Sequence, residues 1–329
     1  MSGVETIEVE PGDAGIRLDR WFKRHYPELS HGRLEKLLRT GQVRVDGGRA
    51  KSNQRLEEGQ AVRVPPLPDA SKTKKQVPSV DRRAVAALKE RIIHHDDHLI
   101  VLDKPAGLAV QGGSRISSHV DALLDGLRFG SKERPKLVHR LDKDTSGVLL
   151  IGRTAKAAAS LTAAFRGHQT RKLYWALVEG VARPREGTID LPLEKLPGPQ
   201  GDRVNVVGGG RNAETRYRTV DVAQPEASWL ALEPVTGRTH QLRVHCAAIG
   251  HPIVGDGKYG SRDAPLNSDA IGRRLHLHAR AVRIPHPAGG LFEVSADLPP
   301  HMSETWKFLG FGPADDDHPF ETFDELMGV

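Results

Sequence analysis

The chain has one cysteine, Cys246, so it forms no internal disulfide and offers no cysteine-based metal site. That usage fits a reducing compartment, the cytoplasm. No run of about 18 apolar residues occurs, which argues against a membrane-spanning helix. The first 15 residues hold four acids (Glu5, Glu8, Glu10, Asp13) and no base, the reverse of a secretory leader. No Gly-rich phosphate-cradling loop of the P-loop or dinucleotide type lies between a strand-like and a helix-like run, so no nucleotide cofactor is expected.

Positive charge is abundant. The formal net charge is +6 with a pI near 9.4. Residues 311–329 hold six acids and no Lys or Arg, so the rest of the chain is near +12. Basic pI is common among soluble proteins, but an excess of this size points first to a polyanion such as nucleic acid.

Along the chain, residues 14–64 read as a small basic module. "RLDRWFKRHY" puts Leu18, Trp21 and Phe22 on one helical face and Arg17, Arg20, Lys23 and Arg24 around the rest. Ser30 reads as the N-cap of "HGRLEKLLRT", with Leu34, Leu37 and Leu38 as its apolar face and Gly41 as its stop. "QVRVDGGRAK" has the alternation and Asp-Gly-Gly turn of a hairpin, and "QAVRVPP" that of a further strand. Residues 65–84, rich in Pro, Ser and Lys, read as a linker. From 85 to 310, strand-like runs ("LIVLDKP", "VLLIGR", "YWALVEGV") alternate with helix-like ones ("AKAAASLTAAFRG", "QLRVHCAAIG"). "VVGGGRN" reads as a hairpin tip, and the acidic segment 311–329 as a mobile tail despite Phe320 and Phe323.

Three polar motifs carry candidate chemistry. In "LVHRLDKDTSGVLL", Asp142 and Asp144 sit just before an apolar strand, where loops hold functional groups. Arg140 and Lys143 flank Asp142, and neighbouring cations favour the carboxylate form, which suits a nucleophile or base. A metal ligand, a general acid and a salt-bridged surface loop are the other readings of this run. In "TGRTHQLRVH", Arg238 and Arg243 stand with His240 and His245 at a helix start, where cations oppose the dipole and call for an anion: a phosphate or an aspartate. The five-residue spacing of the two histidines suits a shared zinc ion poorly. In "TRKLYWALVEG", Tyr174 is either a core aromatic or a ring that stacks on a base.

Together these stretches resemble the RNA pseudouridine synthases of the RluA superfamily. "HRLDKDTSG" resembles the family's signature loop. "DDHLIVLDKPAGLAVQGG", "KLYWALVEG", "TGRTHQLRVH", "GHPIVGDGKYG" and "RLHLHARAVRIPHP" resemble further motifs in the same order. Residues 14–64 resemble the S4 RNA-binding module, and the likeness covers about nine-tenths of the chain. Within the family the chain is most similar to the RluC-type branch, which modifies several uridines of large-subunit ribosomal RNA, although Gln111 stands where that branch often has histidine. The related branch acting on the large-subunit hairpin used in subunit joining is the neighbouring reading.

The resemblance implies an α+β fold: a mixed, mainly antiparallel core with a cleft across the sheet, preceded by the S4 module. It implies an isomerase without cofactor or metal, working as a monomer on ribosomal RNA or its assembly intermediates, off the membrane. Asp142 matches the catalytic aspartate, Tyr174 the stacking tyrosine and Arg243 the basic partner of the aspartate. Arg140 matches the arginine that enters where the base has left. His139, Thr145, Lys172, Arg238 and His240 complete the expected substrate-binding set. Arg17, Arg20, Lys23, Arg33, Lys36, Arg39, Arg44 and Lys51 are the expected RNA contacts of the S4 module. The competing classes are a non-catalytic S4 assembly factor and a metal-dependent nuclease built on Asp142, Asp144 and the histidines.

Overall fold

The computed structural model describes residues 4–67, 81–112, 118–198, 202–223, 225–260, 271–312 and 319–328. The chain divides into two compact units, Met1–Ser79 and Val80–Val329.

The first unit runs β1 (Glu5–Glu8), α1 (Leu18–His25), α2 (His31–Arg39), β2 (Arg44–Val45), β3 (Gly48–Arg49) and β4 (Ala61–Val64). Its antiparallel sheet has the order β1-β4-β2-β3. The expected helix faces are the buried ones: Leu18, Trp21 and Phe22 meet Leu34, Leu37 and Leu38 over Val43, Val45 and Val62. Asp46 and Gly47 both take positive φ (49° and 77°), the backbone a tight hairpin needs. The unit starts ahead of residue 14, because β1 pairs along β4 from Glu5↔Val64 to Glu8↔Ala61. Arg20, Lys23, Arg33, Lys36, Arg39, Arg44 and Lys51 are exposed, while Arg17 is partly covered and pairs with Asp19.

The second unit opens on α3 (Arg82–Lys89), which begins inside the segment expected to be linker; Asp81 caps it by accepting from the Arg83 and Ala84 N–H groups. Residues 68–80 of the expected linker lie outside the described residues. Then follow β5 (Ile92–His95), β6 (Leu99–Lys104), α4 (Val120–Leu123), β7 (Lys136–Leu137), β8 (Ser146–Gly152), α5 (Ala155–Arg166) and β9 (Arg171–Glu179). After them come β10 (Glu186–Asp190), β11 (Leu193–Leu196), β12 (Arg203–Val206), β13 (Glu214–Ala223), β14 (Ala227–Pro234) and α6 (Gln241–Ala248). The chain closes with β15 (Leu277–Pro285), β16 (Leu291–Ser295), α7 (Pro300–Leu309) and α8 (Pro319–Met327).

A ten-stranded sheet in the order β10-β13-β14-β9-β15-β8-β6-β5 organises this unit, with β16 on β15 and β7 on β8. Its pairings are antiparallel except β15 with β8. Every residue of β8 and β14 is buried, which is why the "VLLIG" stretch of β8 reads as an unbroken apolar run instead of an alternating one. Among the described residues no helix is long and apolar enough to cross a membrane.

Two expectations are corrected. The "VVGGGRN" segment leads from β12 to β13 and is no hairpin tip, because β12 pairs with β11. The acidic end of the chain is no free tail: Phe320 and Phe323 of α8 are buried against Trp175, Trp229 and Trp306. Residues 313–318 lie outside the described residues.

Candidate active site

The "HRLDKDTSG" loop joins β7 to β8, and packing fixes both its ends. On the entry side Val138 and Leu141 are buried, and the His139 ring stacks on Phe165 of α5 at 4.4 Å. His139 Nε2 accepts the Leu150 backbone N–H at 2.8 Å. Burial, with Lys172 nearby, holds the His139 pKa down to about 3, so the ring is neutral. On the exit side, Gly147 adopts φ +104°, and a Cβ there would sit 2.2 Å from the Ala279 carbonyl oxygen of β15. Only glycine lets β8 approach β15 so closely. His278 Nε2 donates to the Ala296 carbonyl at 3.1 Å, which leaves Nδ1 to accept from the Ser146 hydroxyl at 2.9 Å. The Ser-Gly that closes the motif is thus the seam between two strands.

A lysine clamps the middle of the loop. Lys104, fully buried at the end of β6, donates to the carbonyls of Pro105, Leu108 and Lys143 at 3.0, 2.9 and 3.0 Å. The Gly107 N–H reaches the same Lys143 carbonyl at 2.9 Å. The backbone between Asp142 and Asp144 is therefore held by two donors from one turn. Burial lowers the Lys104 pKa to about 8, against the pull of Asp144 and Asp142.

The cations of the second motif find their anions outside it. Arg243 donates through Nε and Nη2 to Asp256 at 2.7 and 2.6 Å, and its Nη1 lies 3.7 Å from Asp142 Oδ2. Asp256 also accepts the N–H groups of Lys258 and Tyr259 at 2.9 and 3.0 Å. Burial opposes its charge, yet the Arg243 hydrogen bonds prevail and hold the carboxyl below its ordinary range. His240, in the left-handed region just before α6, places Nε2 3.9 Å from Asp142 Oδ2. Buried Gln241 fastens the turn, accepting from the Thr236 hydroxyl and the Arg238 N–H and donating to the Glu214 carbonyl. His245 is consumed by Thr215 and the Leu191 carbonyl behind the helix.

β9 contributes the third motif. Tyr174 is partly covered, and burial together with the Asp142 charge pushes its hydroxyl pKa up. Lys172 shares its strand, and burial lowers its pKa to about 8. Arg140 is exposed and donates to Gln111 Oε1 at 3.3 Å, while Arg238 donates through Nε to the Asn212 carbonyl at 2.9 Å.

One cavity of about 720 Å³ gathers Asp142, Tyr174, Arg243, His139, Arg140, Thr145, Lys172, Arg238 and His240. Arg166, His168 and Gln111 line it too, whereas Asp144 is exposed and lies outside the lining. Among the described residues no group of three or more His, Cys, Asp or Glu side chains could hold a metal ion. A carboxylate beside an arginine, a partly covered aromatic ring and a cationic rim suit one nucleotide drawn out of its stack. Lys104 and Asp256 escape a reading by residue type, although both lie within the family-like motifs: a lysine ending an apolar strand and an acid in a Gly-rich turn are the visible signals.

Residues 98–248 match the family model described as RNA pseudouridylate synthase. Ribosomal large subunit pseudouridine synthase C of Vibrio vulnificus is 37% identical over 297 residues, spanning 87% of this chain and 90% of that protein. The protein of the same name from Salmonella typhi is 39% identical over 293 residues, with the same coverage of 87% and 90%. Among solved structures, Human RNA Pseudouridylate Synthase Domain Containing 4 aligns with a TM-score of 0.59 at 28% identity, covering 70% of this chain and 97% of that one. Human RNA Pseudouridylate Synthase Domain Containing 1 aligns at 0.52 and 26% identity, covering 68% and 96%.

Proposed function

The chain belongs to the RNA pseudouridylate synthase family, and from that premise we propose that it isomerises particular uridines of large-subunit ribosomal RNA to pseudouridine, with Asp142 as the reacting carboxylate. The observation that carries the assignment of Asp142 is its place in the cavity, with Arg243 Nη1 3.7 Å away. The reaction breaks N1–C1′ and forms C5–C1′; the C5 hydrogen leaves as a proton and N1 gains one. Atoms and electrons balance without a co-reactant, in keeping with an isomerase.

In this reading Tyr174 stacks on the flipped uracil and Arg243 holds Asp142. Arg140, exposed at the cavity and bonded to Gln111 at 3.3 Å, enters the gap the base leaves. Lys172 and Arg238 meet the nucleotide, and His240 faces Asp142. His139 and Thr145 shape the loop instead of contacting substrate directly: the His139 ring is committed to Phe165 and Leu150, and Thr145 is buried with its N–H on the Asp142 carbonyl. The exposed cations of α1 and α2 support an S4-type role for the first unit, holding phosphates and supplying affinity rather than chemistry. The lone cysteine supports a cytoplasmic setting.

The test is tritium release from large-subunit ribosomal RNA labelled at uridine C5. Wild type releases tritium with or without EDTA, and Asp142→Asn releases none while binding RNA within a few-fold of wild type. Release that EDTA abolishes, or that survives in Asp142→Asn, would overturn the assignment.

A further inference from the structure

Behind Asp142 lies a pair that the motifs alone do not explain. Tyr259 is buried, and its hydroxyl sits 2.8 Å from His240 Nδ1. The same oxygen accepts the Val204 N–H of β12 at 3.1 Å. A phenol oxygen that accepts one hydrogen bond still has one proton to donate. Among the described residues, the hydrogen-bond acceptor that faces it is His240 Nδ1. Once Nδ1 accepts, a neutral imidazole must carry its hydrogen on Nε2. The opposite tautomer would leave a buried hydroxyl proton without an acceptor, which folded proteins avoid.

The surroundings favour these protonation states. Burial pushes the Tyr259 hydroxyl pKa up, and burial lowers that of His240 against the pull of Asp142. Arg203 and Arg243 lie over the Tyr259 ring at 5.2 Å each and Lys258 at 5.9 Å, while Asp256 accepts the Tyr259 N–H. The ring is thereby held from several sides. His240 itself takes φ 54° and ψ 19°, a backbone region a histidine occupies only when its surroundings enforce it. The fixed edge of that ring, Nε2, and the remaining Nη1 of Arg243 both face the same carboxylate oxygen, Asp142 Oδ2, at 3.9 and 3.7 Å.

We propose that Tyr259 is a positioning residue that locks His240 as the neutral tautomer bearing its proton on Nε2, so that His240 and Arg243 direct two N–H donors at one oxygen of Asp142 and leave the other for the nucleoside. The inference rests on Asp142 being the reacting carboxylate. Both separations exceed hydrogen-bond length, and such contacts commonly tighten only when substrate fills a site.

The test uses the full chain. Histidine nitrogens are labelled and read by NMR in wild type and Tyr259→Phe, and the His240 signal is identified among the sixteen histidines by its loss in His240→Gln. Wild type shows a protonated Nε2 and a bare Nδ1 at His240, and Tyr259→Phe loses that preference. Turnover is then compared for His240→Gln, whose amide N–H reaches the Nε2 position, and His240→Phe, which keeps the ring without a donor. His240→Gln stays within about 5-fold of wild-type kcat, and His240→Phe falls about 10- to 100-fold with little change in KM. A bare Nε2 in wild type overturns the proposal. So does His240→Gln turning over as slowly as His240→Phe, or both variants matching wild type. The NMR reading needs no turnover, so an active Asp142→Asn would sink the role of Asp142 while leaving the tautomer measured.

Discussion

Arg243 holds Asp256 with two of its donor groups and shows only the third to Asp142. The pair is buried, and the guanidinium is aimed before any substrate arrives. Asp256 is in turn fixed by two backbone N–H groups. The candidate carboxylate therefore faces a cation whose orientation is set from behind by a second acid.

Replacing Asp256 by Asn keeps the shape and removes the charge. The Asp256→Asn enzyme should unfold with a stability lower by about 3 kcal/mol, the cost of leaving a buried cation unpaired, and kcat should drop about 100-fold. The folded carboxyl lies below its ordinary value of 3.8, so its contribution is full above that value and is lost as pH falls through the folded one. Urea denaturation should show the wild-type advantage intact at pH 7 and shrinking below about pH 4. An advantage that stayed constant into strong acid would mean that Asp256 stabilises by shape alone.

Gly147 should tolerate no side chain. Alanine there would combine φ +104° with a Cβ 2.2 Å from the Ala279 oxygen, so the β8–β15 seam must open. Gly147→Ala should cost about 3 kcal/mol or more. Gly289 is the control, since it has φ +107° but open space where a Cβ would go, with nothing within 4 Å, and Gly289→Ala should cost about 1 kcal/mol. Equal losses for the two would show that backbone strain, not the strand contact, accounts for the glycine.

If Lys172 meets the RNA as proposed, affinity should depend on pH. Burial puts its pKa at about 8, so the ammonium is present below that pH and is lost as pH rises through it. Affinity for ribosomal RNA should weaken between pH 7 and 9, with the shift reduced in Lys172→Met. At pH 7 the same variant should bind with a salt slope shallower by about 1. An unchanged slope would place Lys172 off the phosphates.

Much of this site is legible in the sequence because each motif is local. The loop around Asp142, the β9 run around Tyr174 and the turn before α6 each show their residues within about ten positions, and the paired helix faces of the first unit follow the helical period. The parts that escape are long-range. Nothing in the spacing of Arg243 says that its acid is Asp256, or that Tyr259 stands behind His240. Lys104 looks like a surface lysine until the turn after β6 folds over it. The acidic end is harder still. Its charges suggest solvation, but Phe320, Phe323 and Met327 share one helical face, and the matching cations come from distant strands.

The docking of α8 gives the last prediction. Arg171 of β9 binds Asp324 at 2.8 and 2.7 Å and Glu233 at 2.6 Å, and Arg283 of β15 binds Glu321 and Glu293, each at 2.5 Å. Both guanidinium groups also lie over the Phe320 ring, at 5.0 and 4.9 Å. Glu321 is largely exposed, so its ion pair contributes little, and Glu321→Gln should change stability by less than about 1 kcal/mol. Phe320 is fully buried, and Phe320→Ala should cost about 3–5 kcal/mol. Arg171 immediately precedes Lys172 and lies three positions before Tyr174 on the same strand, so loosening α8 loosens the strand that carries them. Hydrogen exchange should then show faster opening of β9 in Phe320→Ala, together with a lower kcat. If β9 kept its protection while α8 lost its own, the helix would be an independent cover, and the active-site strand would owe nothing to it.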